Sequence, residues 1–117
     1  MPPRRYPSLL LDIRLSVEAL LSLDPPPDAE RLRTDWVQRS AVERQLLIIG
    51  EALARIRRDP PEKLLNFPEA PAVIGMRNIL SHADETVEVE QLATVLQDDL
   101  EPLHQQVLEA LAHESAG

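Results

Sequence analysis

Proline sets the limits on what this chain can fold into. Ten of its eleven prolines fall in four groups, Pro2/Pro3/Pro7, Pro25 to Pro27, Pro60/Pro61 and Pro68/Pro71. Each group stops a helix, because proline lacks the amide donor and its ring clashes with the preceding turn. The intervals between them are rich in Leu and Ala and show no alternating strand pattern, and the whole chain holds only three glycines. Such intervals predict helices, and four of them predict an all-α fold arranged as an antiparallel four-helix bundle. With 117 residues there is room for one domain. It is read as a flexible N-terminal segment over 1–7, a helical domain over 8–114 and a tail over 115–117. Pro25 to Pro27 make a stiff connector, since neither side is long enough to fold alone.

The first helix is expected over Ser8 to Leu23, with Ser8 as N-cap and Leu10, Ile13, Val17 and Leu20 on one face. The second spans Thr34 to Arg58, where Val42, Leu46, Ile49, Leu53 and Ile56 form a seam toward a neighbouring helix. At about 100° per residue, Leu47 and Ile48 fall outside that seam, with Arg44, Glu51 and Arg55 around them. A second, mixed surface of this kind predicts a partner. The third helix is expected from Ala72 to about His82. The fourth starts near Thr86 and presents Leu92, Leu96, Leu100, Leu103, Val107 and Leu111, with a bend at Pro102.

Composition narrows the function. Twelve basic against twenty acidic residues leave a net charge of -8, so any nucleic-acid contact must be a local basic patch. The absence of cysteine removes disulfides, zinc fingers and thiol nucleophiles. Three aromatics, Tyr6, Trp36 and Phe67, are too few for a base-stacking platform. No run approaches the ~20 apolar residues of a membrane span, and the start lacks a secretory apolar stretch. The chain is therefore read as soluble, cytoplasmic and without membrane contact. His104 and His113 read as surface residues near a helix C-terminus. Without convergent ligands, no metal or cofactor is expected.

The segment Gly75-Met76-Arg77-Asn78-Ile79-Leu80-Ser81-His82 is the most informative. On a helical wheel Ala72, Met76, Ile79, Leu80 and Ala83 fall within about 100° and predict a core face, while Arg77, Asn78, Ser81 and His82 share a separate polar arc of about 140°. Arg77 supplies a permanent cation suited to phosphate, and His82 can exchange a proton near neutral pH. Asn78 and Ser81 can orient either group. Gly75, lacking a side chain, would admit another backbone or a ligand. From pattern alone the arc can equally be a solvated helix face.

Residue order adds a second line. Gly75 to His82, with Ala41-Val42-Glu43-Arg44-Gln45-Leu46-Leu47-Ile48-Ile49-Gly50-Glu51-Ala52 upstream, resembles the HepT-like family of the HEPN superfamily. Arg77 to His82 is similar to that family's R-x-x-x-x-H ribonuclease motif, and Asp98-Asp99-Leu100-Glu101-Pro102-Leu103 to its last helix. The resemblance implies a metal-independent endoribonuclease, the toxin of a pair whose antitoxin is a minimal nucleotidyltransferase. It also implies a homodimer whose two motifs line one cleft. In that reading His82 is the general acid/base and Arg77 binds phosphate. Asn78, Ser81, Glu51 and Asp84 are accessory groups, and Arg44, Arg55, Arg57 and Arg58 follow the RNA backbone. Glu51 can instead pair with Arg55 four residues on.

The sequence departs from the family at one place. Many relatives carry Tyr two residues after the motif His, where the partner enzyme attaches AMP, whereas here His82 is followed by Ala83 and Asp84. A carboxylate cannot replace the phenol in that chemistry, but it can hydrogen-bond His82 and raise its pKa. An alternative reading is thus a non-cleaving module that binds RNA, a nucleotide or a nucleotidyltransferase. Histidine phosphotransfer is opposed by the negative charge of Asp84 and Glu85 beside His82.

Overall fold

The computed structural model describes residues 5–81 and 89–116. Among the described residues six α-helices follow one another: α1 (Tyr6–Leu21), α2 (Ala29–Thr34), α3 (Trp36–Arg58), α4 (Ala70–Leu80), α5 (Val89–Thr94) and α6 (Leu100–Ala116). No strand occurs among the described residues. The long segments form the expected all-α bundle, with α3 packed between α1 and α4, and α1 also packed on α6. Every residue of the expected seam on α3, Val42, Leu46, Ile49, Leu53 and Ile56, is fully buried. So are Leu10, Ile13 and Val17 of α1, with Leu20 nearly so. The core is aliphatic apart from Phe67.

Boundaries differ from the expectation for local reasons. α1 starts at Tyr6 with Arg5 as its N-cap rather than Ser8, because Pro7 lies in the first turn, where no amide donor is needed. α2 was hidden behind the triple proline. Asp28 caps it by accepting from the Arg31 amide at 2.8 Å, and Leu32 anchors it in the core. Asp35 then caps α3, accepting from the Gln38 amide at 3.0 Å. A 3₁₀ element, Pro61–Asn66, lies between α3 and α4. α4 ends at Leu80 with Ser81 as C-cap, short of His82.

Pro102 acts on the last helix in an unexpected place. Its missing donor would have bonded the carbonyl of Asp98, and Asp98 lies within a π-helical turn, Val95–Asp99, that joins α5 to α6. The wider turn relieves the steric conflict between the proline ring and the carbonyl four residues back. His104 is also repositioned relative to expectation: its Nε2 lies 2.9 Å from Glu18 Oε2, so it ties α6 to α1 instead of standing alone on the surface. That contact, followed by the hydrogen bond from Arg14 Nε, holds the Glu18 carboxyl below its ordinary range.

The π turn leaves one carboxyl in an unfavourable setting. Burial, then the nearby charges of Glu69 and Asp98, push the Asp99 carboxyl above its usual range. A raised acid binds its proton more tightly in the folded chain than in the unfolded one, so stability falls as pH rises from the unfolded to the folded value. Asp99→Asn should therefore raise Tm at neutral pH, and the gain should vanish near pH ~3, where wild-type Asp99 is also neutral. Thermal unfolding of both chains across that range checks this.

Candidate active site at the crossing of α3 and α4

The two helices that carry the candidate residues touch at one glycine. A Cβ built on Gly50 would overlap the Cβ of Arg77 and lie 2.9 Å from its Cγ and 3.1 Å from the Val73 carbonyl oxygen. Gly50 is the residue that lets α4 lie directly on α3. Gly75, the glycine singled out from the sequence, has no such role: nothing lies within 4 Å of a Cβ added there. It opens instead onto a groove lined by Ala72, Met76, Ile79 and Val95.

This crossing rotates α4 from the orientation expected from its pattern. Its buried residues are Ala70, Val73, Ile74 and Met76, while Ala72 is exposed. Arg77 therefore projects from the packed face of α4 toward α3, rather than from a solvated arc. Its Nε donates to Glu51 Oε1 at 2.9 Å, and its Nη1 donates to Asn78 Oδ1 at 2.6 Å. The side chain retains 25% exposure, and Nη2 has no partner among the described residues. A guanidinium held at Nε and Nη1, with Nη2 lacking a partner among the described residues, keeps one terminal donor suited to an oxyanion.

The remaining predicted residues separate into those that join this cluster and those that do not. Glu51 pairs with Arg77 across 26 residues of sequence, not with Arg55. Ser81 donates its hydroxyl to the Asn78 carbonyl at 3.2 Å and so closes the end of α4. Arg44, Arg55, Arg57 and Arg58 are all exposed on α3. By helical angle Arg44, Arg55 and Arg58 share one side, whereas Arg57 lies about 160° from Arg55. Arg44 and Arg55 rim a depression of about 410 Å³ floored by Leu47 and Ile48, with Glu51 on its edge. This is the second surface expected from the sequence. His82, Ala83, Asp84 and Glu85 lie outside the described residues.

Nothing in residue spacing distinguishes Gly50 from any other helical glycine, because its importance arises from a neighbour 27 residues away. The partial signal was the Gly50-Glu51 pair within the segment that carries the family resemblance.

Comparison with known proteins places most of the chain in one family. The profile of the family described as "Ribonuclease HepT-like" matches residues 13–110. A protein of Methanocaldococcus jannaschii named "Putative RNase MJ1380" is 30% identical over 107 residues, covering 92% of this chain and 97% of the relative. No solved structure matches the chain significantly.

The two glycines should respond oppositely to the same substitution. Gly50→Ala should cost about 1–3 kcal/mol through overpacking against Arg77 and Val73. Gly75→Ala, at a position without positive φ, should be neutral or stabilise by up to ~1 kcal/mol. Urea unfolding of both variants measures the contrast.

Proposed function

The chain belongs to the HepT-like ribonuclease family, and from that premise we propose that it is a metal-independent endoribonuclease using Arg77 and His82. The observation that carries this reading is the Arg77 guanidinium, held by Glu51 and Asn78, with Nη2 lacking a partner among the described residues and so offered to a phosphate. In the cleavage step the ribose 2′-oxygen loses its proton and attacks phosphorus, and the 5′-oxygen leaves and takes up a proton. His82, next in sequence after the C-cap Ser81, serves as the general acid/base for these transfers. Arg77 binds the scissile phosphate and stabilises the charge that builds on its oxygens. Glu51 and Asn78 position Arg77, and Ser81 secures the helix end from which His82 follows.

In this reading the enzyme is the cytoplasmic toxin of a toxin–antitoxin pair with a minimal nucleotidyltransferase as antitoxin. It works as a homodimer, which brings two copies of Arg77 together and supplies the local positive field that a chain of net charge -8 lacks. Arg44, Arg55 and Arg58 share the side of α3 available to an RNA backbone. Asp84, standing where relatives have the AMP-accepting Tyr, points to restraint by a route other than tyrosine AMPylation. The same departure favours the second reading, a non-cleaving module that binds RNA or the nucleotidyltransferase.

Purified protein incubated with total RNA in EDTA separates these readings. Wild type should cleave. His82→Ala should lose ~10²–10⁴-fold in rate, and Arg77→Ala about 10²–10³-fold, without unfolding. Glu51→Gln should lose on the order of tenfold, since it weakens one charge-assisted hydrogen bond. Cleavage that persists in both His82→Ala and Arg77→Ala would eliminate the site, and RNA binding without cleavage by wild type would leave the binding module.

A further inference from the structure

The one tryptophan of the chain lies open to solvent. Trp36 is the first residue of α3 and is 73% exposed, with Val37 beside it at 62%. A tryptophan ring carries a large apolar surface and is ordinarily well covered. The fold makes no use of it here. The start of α3 is set by the Asp35 cap and by Val42 and Leu46 in the core, and the indole takes part in neither.

Its place on the helix matters more than its exposure. At about 100° per residue, Trp36 falls within one arc of about 100° together with Arg44, Glu51, Arg55 and Arg58. Along the axis Arg44 stands ~12 Å from it, and Glu51, which holds Arg77, ~22 Å. The carboxylates at this end of α3 are already paired, Asp35 with Arg31 at 3.5 Å and Glu43 with Arg39 at 3.0 Å. No uncompensated carboxylate of α3 therefore stands between Trp36 and Arg44.

We propose that Trp36 stacks on one unpaired base of the RNA, at a subsite on the order of 20 Å from the phosphate at Arg77, with Arg44 meeting the backbone between them. The inference rests on RNA being the substrate. An indole face accepts any nucleobase, and guanidinium groups along the same side engage the phosphates that connect successive bases. A duplex fits less well, because its base faces are covered by their neighbours. An anionic lipid surface is opposed by the net charge of -8. One indole is no platform for several bases. A single contact of this kind selects for unpaired strand that reaches well beyond the cleaved bond, and not for a base sequence.

Because Trp36 is the sole tryptophan, the indole emission of the protein reports on it alone. A non-cleavable 2′-O-methyl oligoribonucleotide of about twelve nucleotides should quench that emission saturably, and the same strand annealed to its complement should not. Trp36→Leu keeps apolar bulk but no ring. It should leave Tm unchanged and raise the Kd for the oligoribonucleotide by about 5–150-fold, with Trp36→Phe closer to wild type. Binding without quenching, equal quenching by the duplex, or unchanged affinity in Trp36→Leu would overturn the inference. So would an indole already shielded from acrylamide in the free protein by a second copy of the chain. Cleavage that needs Arg77 and His82 but ignores Trp36→Leu would sink the stacking subsite and leave the ribonuclease reading standing. Quenching by RNA, with the expected loss of affinity in Trp36→Leu, in a chain that cleaves nothing would do the reverse.

Discussion

One absent side chain determines how the molecule is put together. α3 and α4 make contact over Gly50, and any Cβ there would collide with Arg77. Two effects follow from that close approach. It buries Val73, Ile74 and Met76 of α4 in the bundle. It also sets the root of Arg77 beside Glu51, so that a flexible, entropically costly side chain is held in one place by two hydrogen bonds. The packing interaction and the preparation of the guanidinium are the same contact, which ties the stability of the fold to the geometry of the site.

Charge is distributed to match. The chain is acidic as a whole, yet Arg44, Arg55 and Arg58 line one side of α3, and the carboxylate among them, Glu51, is already bonded to Arg77. Surface pairs such as Arg33 with Glu90 and Arg39 with Glu43 absorb other arginines elsewhere. Exposed pairs of that kind contribute little to stability. Arg44, Arg55 and Arg58 are in no such pair among the described residues.

Much of the fold could be read in advance because proline and apolar period act locally. The α3 seam and the apolar face of α1 were legible from spacing alone, and the mixed surface around Leu47 and Ile48 followed from the residues that the seam excluded. α2 was not legible, since six residues between the triple proline and Asp35 carry too little period to register, and its evidence is the Asp28 cap and a single buried leucine. A bend at Pro102 was the expectation, and the π turn just before it was not legible. The π turn lies before the proline because the carbonyl in conflict belongs to the preceding turn.

The site was legible as a set of residue types and not as an arrangement. Arg77, Asn78 and Ser81 were candidates from residue order, and Glu51 was a candidate accessory group with pairing to Arg55 as the alternative. What decided between them was the rotation of α4 about its axis, which depends on Gly50 and so on a tertiary contact that no periodicity records. The central claim is that Arg77, so placed, is the group that grips RNA phosphate. The most direct measurement is the ¹⁵Nε resonance of Arg77, assigned through Arg77→Lys and followed while a non-cleavable 2′-O-methyl oligoribonucleotide is added. The account predicts a saturable shift of that resonance. A ligand that binds and shifts other arginines while Arg77 stays unmoved would contradict it.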